Sequence, residues 1–274
     1  MMFLTTARAT LFDADPFNYS GTTLPGQNGG TGWSGAWFTT GTSGLNGLSN
    51  DGISLSYPNT WESPLTPLTP SGSRVITGGT NANTSRLLSQ TIPLNVDGTV
   101  AYVSALFRKN AANGGGVSTD NILLEFTDNL GNRRWGVGIE GTGDKPWLNA
   151  NGSTTPSAGP AVTVGDTYFM VAKIVSSASG LDTAFLKVYG TGYNSQVTVA
   201  EPTTWDATLT ETTSAILDRI RVRIDSGNTV ATPGEVDEIR IGNSWTDVVS
   251  VPEPSAMGFF GAALLAAIFR KRAV

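Results

Sequence analysis

The chain has 274 residues, 39% of them hydrophobic, which is enough to bury the core of one large domain. It contains neither histidine nor cysteine, which excludes histidine-dependent nucleophile triads, disulfides, thiolate metal sites and nearly all zinc chemistry. The net charge of −5 argues against a phosphate-backbone binder, so no nucleic-acid partner is expected.

Residues 1–9 open with Met1-Met2-Phe3-Leu4, a fragment of the basic and apolar leader that export requires, and close with Ala7-Arg8-Ala9, an A-x-A cleavage pattern. The expectation is a signal-peptide remnant over 1–9, a natural start further upstream, and Thr10 as the first residue of the mature protein. Next, Gly30-Thr31-Gly32-Trp33-Ser34-Gly35 matches G-x-G-x-x-G by letter alone. A dinucleotide site needs a buried strand before it and a helix after it, and neither flanks this stretch. It reads as a loop pinned to the body by Trp33 and Trp37.

From Thr10 onward, short apolar runs alternate with Gly, Asn, Asp and Pro, the pattern of many short strands. Strands are predicted at residues 99–108, 121–127, 133–140, 167–175, 183–189, 219–224 and 235–241. The first pair after residue 120, joined across Asp128-Asn129-Leu130-Gly131, reads as a hairpin, and so do 168–175 and 185–189. Strands this apolar cannot face water on both sides, so two packed sheets or a closed barrel are required. No amphipathic helix of useful length is evident.

The end of the chain has three parts. Val251-Pro252-Glu253-Pro254 is a rigid extended spacer, because two prolines fix φ and lack N–H donors. Residues 255–269, from Ser255 to Phe269, carry no charge, and Arg270, Lys271 and Arg272 follow. A fifteen-residue helix reaches only about 22 Å, short of the roughly 30 Å hydrocarbon core. The segment therefore suits a transient membrane anchor that is read and then removed, with its basic end on the cytoplasmic side.

These three parts resemble the PEP-CTERM sorting signal, also catalogued as an ice-binding-protein C-terminal motif, of exported proteins from exopolysaccharide-making bacteria. The resemblance implies an exosortase as partner, recognising Pro252, Glu253 and Pro254, and makes 249–274 a sorting tail. Residues 12–20 (FDADPFNYS), 28–37 (NGGTGWSGAW), 124–140 (LEFTDNLGNRRWGVGIE) and 237–248 (DEIRIGNSWTDV) resemble concanavalin A-like, laminin-G-like jelly rolls. This implies an all-β, antiparallel two-sheet sandwich over 10–248. The fold hosts lectins, adhesion modules and hydrolases alike.

Glucanases of that fold carry E-x-D-x-E or E-x-D-x-x-E on one strand. Here Glu235 and Asp237 share a face, but the next same-face residue is Ile239 and the later alternative is Arg240, so the second carboxylate is missing. Asp237 or Glu238 is expected to cap a turn or pair with Arg240. Sugar stacking would fall to Trp61, Trp135 or Trp147, with core packing as the alternative. No cofactor is required, although Asp13, Asp15 and Asp237 are candidate calcium ligands at a sheet end. The chain is thus expected to be a non-enzymatic protein of the envelope or exopolysaccharide matrix that binds an extracellular polysaccharide. Two alternatives stay open: a structural matrix protein, and a polysaccharide hydrolase or lyase using a carboxylate pair drawn from Glu125, Asp128 and Glu140.

Overall fold

A computed structural model describes residues 10–39, 45–49, 51–67, 69–77, 82–110, 120–225 and 233–250. The first third holds β1 (Leu11–Asp15), β2 (Phe38–Thr39), β3 (Asn46–Leu48), β4 (Thr60–Trp61), β5 (Val75–Thr77) and β6 (Ala82–Pro93). The middle holds β7 (Val100–Lys109), β8 (Ile122–Thr127), β9 (Arg133–Ile139), β10 (Pro146–Ala150), β11 (Ser153–Pro156), β12 (Thr167–Val175) and β13 (Asp182–Tyr189). The last part holds β14 (Gln196–Val197), β15 (Ala207–Glu211), β16 (Ile216–Ile224), β17 (Gly234–Gly242) and the helix α1 (Trp245–Val249).

Two antiparallel sheets carry the fold. One runs β15-β13-β12-β7-β17-β5-β3 with β1 also on β17, and the other runs β11-β10-β9-β8-β16-β6-β2. The chain crosses between sheets repeatedly, so β7 lies between β12 and β17, and β16 between β8 and β6. This is the all-β jelly-roll sandwich expected from the sequence, and all seven predicted strands are present. β6, the longest strand, went unpredicted because ANTSRLLSQTIP mixes polar residues among its apolar ones.

Alternation decides which side chains fill the sandwich. On β16, Ile220, Val222 and Ile224 are fully buried in the core together with Leu124, Phe126, Trp135 and Val137, each aliphatic side chain contributing about 1.5–3 kcal/mol by leaving water. The alternate residues Arg219, Arg221 and Arg223 face outward. The outer face of the β12–β7–β17 sheet is not open. Leu106, Phe169, Val171 and Tyr189 form a second apolar cluster there with Leu55, Val197, Trp245, Val248 and Val249. No second apolar cluster covers the outer face of the β9–β8–β16 sheet among the described residues.

Residues 249 and 250 pack against the sandwich. Val249 is fully buried and Ser250 nearly so, and the Arg240 guanidinium donates to the carbonyls of Asp247 (2.9 Å) and Ser250 (3.0 Å). The spacer, the apolar segment from Ser255 to Phe269 and Arg270, Lys271 and Arg272 lie outside the described residues, as do residues 1–9. Among the described residues no helix is long and apolar enough to cross a membrane.

Candidate functional site

Strand register builds two rows of side chains on the outer face of the β9–β8–β16 sheet. One row runs Asn149, Gly136, Glu125, Arg221 and Ser85, and the next runs Trp147, Gly138, Leu123, Arg223 and Asn83. The two glycines put no side chain between β10 and β8, which lowers the floor of the sheet there. Gly138 has no alternative, because a Cβ at that position would lie 1.8 Å from the Ile122 carbonyl oxygen.

Glu125 is the centre of this surface. It is fully buried, and its two oxygens are held by different strands: Oε1 accepts from Arg133 Nη1 at 3.1 Å and Oε2 from Arg221 Nε at 2.6 Å. Arg223 Nη1 stands 3.9 Å from Oε1, and its Nη2 pairs with Asp225 at 2.7 Å. Without the carboxylate, three guanidiniums would repel one another at this spacing.

A shallow groove, wide open to solvent, lies above them, lined by Arg133, Arg134, Arg221 and Arg223 with the amides Asn132 and Asn151. Arg134 pairs with Asp128 at 2.7 Å. Burial alone would raise the Asp128 carboxyl, but hydrogen bonds from Asn132 and Arg134 outweigh it and bring it down to about 2. Four guanidiniums thus meet three carboxylates, those of Glu125, Asp128 and Asp225, so cationic side chains outnumber acidic ones at this surface of an acidic chain. Paired guanidinium donors match carboxylate or sulfate oxygens.

The carboxylates proposed for catalysis do not form a pair. Glu125 has both oxygens occupied by arginines, and Asp128 is spent on the turn, accepting from the Leu130 and Asn132 amides. Glu140 lies beyond the far end of β9, four residues from the Gly136 row, or about 13 Å along the strand. Burial raises its pKa.

The three tryptophans are not brought together on one face. Trp135 is 2% exposed in the sandwich core, its Nε1 donating to Thr213. Trp61 packs on Tyr57 and Phe169 in the second apolar cluster, over the opposite sheet. Trp147 does lie in an outer row, but at 8% exposure it presents no free ring face.

The calcium candidates each have a structural task instead. Asp15 pairs with the buried Arg86 at 2.6 Å and also accepts from Tyr19 and Trp37. Asp13 Oδ1 accepts from the Ser89 amide, and Asp237 Oδ2 from the Leu55 amide. Among the described residues no group of three acidic side chains is arranged for a metal ion. Arg86, which sequence reasoning missed, is what fastens the glycine loop: it lies over Trp33 (4.9 Å) and Trp37 (5.8 Å) and donates to Gly35 and Asn28. Thr31 meanwhile exchanges both backbone hydrogen bonds with Ala14, so the stretch is a pinned loop, as read.

On β17 the expected alternation breaks. A bulge between Asp237 and Arg240 places Glu238 at φ +52°, and Ile239 joins Val236 in the core rather than sharing the face of Glu235 and Asp237. Glu235 pairs with Arg74 and Arg108. Glu238 accepts from the Ser71 amide and forms no ion pair with Arg240. Burial pushes Glu238 up to about 7, and burial together with the neighbouring Glu238 raises Asp237 well above its ordinary value.

Residues 250–273 match the family described as the PEP-CTERM protein-sorting motif, so the chain carries that sorting signal behind the sandwich. No curated protein matches the sequence. Among solved structures, the endo-β-1,4-glucuronan lyase of the fungus Trichoderma reesei is similar at 10% identity, over 83% of this chain and 96% of that one, with TM-score 0.45. Arcelin-5, a lectin-like defense protein of Phaseolus vulgaris, is similar at 10% identity over 68% and 96%, with TM-score 0.41. Lectin UEA-II complexed with galactose is similar at 10% identity over 87% and 99%, with TM-score 0.41.

Proposed function

We propose that this is an exported protein of the envelope or exopolysaccharide matrix whose jelly roll binds an acidic polysaccharide in the arginine groove without cleaving it. The sorting motif at 250–273 supports the address. In this reading an exosortase recognises Pro252, Glu253 and Pro254, while residues 255–269 and the basic cluster hold the precursor in the membrane until it is processed.

One observation carries the ligand class: the buried Glu125 gathers Arg133, Arg221 and Arg223 at the floor of an open groove. Their donors are preorganised, so binding an anion orders few additional side chains. Stacking of a neutral sugar ring uses an exposed aromatic face, whereas Trp135 lies in the core, Trp61 packs over the opposite sheet and Trp147 is 8% exposed. Cleavage would require a group able to take or give a proton, whereas the groove lining among the described residues offers guanidiniums and amides, with Asp128 beside it paired to Arg134.

Electrophoresis of the purified protein through gels containing a linear polyuronate, with a neutral β-glucan as control, tests this reading. Retardation by the polyuronate alone is expected, and equal mobility in both gels would overturn it. For the address, replacing Pro252, Glu253 and Pro254 by alanine is expected to leave unprocessed precursor in the membrane.

A further inference from the structure

The geometry points to Thr10 as a processed amino terminus whose ammonium docks on Asp247, immediately ahead of the sorting tail. The Thr10 nitrogen lies 3.1 Å from Asn243 Oδ1 and 3.1 Å from Asp247 Oδ2. Within an uncut chain that nitrogen carries one hydrogen and cannot satisfy both acceptors fully. A free terminus carries three donors and, with an ordinary pKa near 8, is mostly charged at neutral pH.

Asp247 is suited to receive that charge. It is 5% exposed, and its Oδ2 already accepts from the Ser244 amide (2.9 Å) and hydroxyl (2.7 Å). Among the described residues no lysine or arginine forms an ion pair with its carboxylate. Arg240 is near, but its guanidinium is directed at the Asp247 and Ser250 carbonyls. A buried carboxylate is stabilised by a cation at hydrogen-bond distance, and the Thr10 nitrogen is already at that distance. Gly242 makes room, since a Cβ there would stand 2.5 Å from Asp247 Cβ.

The sequence independently marks the same position, because Ala7-Arg8-Ala9 is an A-x-A pattern ending one residue earlier. Hydrolysis of the Ala9–Thr10 amide by a signal peptidase consumes one water and yields the Ala9 carboxylate and the Thr10 ammonium. Leader removal thereby locks α1, the last element before residue 251, onto β1 and β17. The inference does not depend on the glycan reading.

The test begins with the protein recovered from exporting cells, whose amino terminus by mass spectrometry is expected to be Thr10. A glycine inserted after Ala9 moves the ammonium one residue outward and is expected to lower the thermal midpoint by about 2–4 °C. In an Asp247→Asn background the insertion is expected to have no such effect. A terminus elsewhere, an insertion without effect, or an equal effect in the Asp247→Asn background would each overturn the inference.

Discussion

Arg221 Nε donates to Glu125 Oε2 at 2.6 Å from a strand 96 residues later in the chain, and that carboxylate has no exposure to solvent. The pair is therefore a long-range lock as well as the floor of the groove. Replacing Glu125 by leucine would leave Arg133, Arg221 and Arg223 facing one another without a counter-charge. A loss of about 3–5 kcal/mol is expected from breaking such a buried pair, measured by chemical denaturation, and Glu125→Gln should lose less.

Trp135 separates packing from binding. Trp135→Ala removes a core side chain at 2% exposure, with an expected cost of about 3–5 kcal/mol. Under conditions where the variant remains folded, its affinity for a polyuronate should match that of the native protein, as titration of the two would report.

Glu238 gives a pH dependence of definite sign. Its folded-state pKa of about 7 lies above the ordinary 4.5, so folding favours its protonated form. That contribution is complete below about pH 4.5 and disappears as the pH rises through 7, a difference on the order of 3 kcal/mol. Asp225, raised chiefly by burial, acts in the same direction. The thermal midpoint should fall between pH 5 and pH 8, and Glu238→Gln should flatten that fall.

Two glycines one turn of the pleat apart should respond in opposite ways. Gly138→Ala drives a methyl into the Ile122 carbonyl and should cost about 1–3 kcal/mol or more. Gly136→Ala places its methyl 3.4 Å from Glu125 Cγ, an ordinary contact. It should be neutral or slightly stabilising, because alanine gives up less chain entropy than glycine. Melting curves of the two variants decide the matter.

Much of the fold was legible because apolar runs such as TYFMVAKIV and RRWGVGI mark strands directly, and the turn at Asp128 to Gly131 joins β8 to β9 where the sequence places it. The groove was half legible. Arg219, Arg221 and Arg223 alternate with Ile220, Val222 and Ile224, a period of two that puts three guanidiniums on one face. Their partner was hidden, because only sheet register brings β8 beside β16 and so Glu125 beside Arg221. The placement of the tryptophans was not legible for a physical reason: an indole suits a core as well as a sugar platform, and sequence alone does not report burial. The bulge at Glu238 was equally invisible, since strict alternation places Ile239 on the wrong face.

The most direct test of the acidic-polysaccharide reading is calorimetric titration of the native protein and an Arg133→Ala/Arg223→Ala double variant with a polyuronate and with a neutral glucan. The account predicts binding of the polyuronate only, weakening as salt is added, and a loss of tenfold or more in the double variant, titrated under conditions where it remains folded. Equal affinity for the neutral glucan, or undiminished polyuronate binding by the double variant, would contradict it.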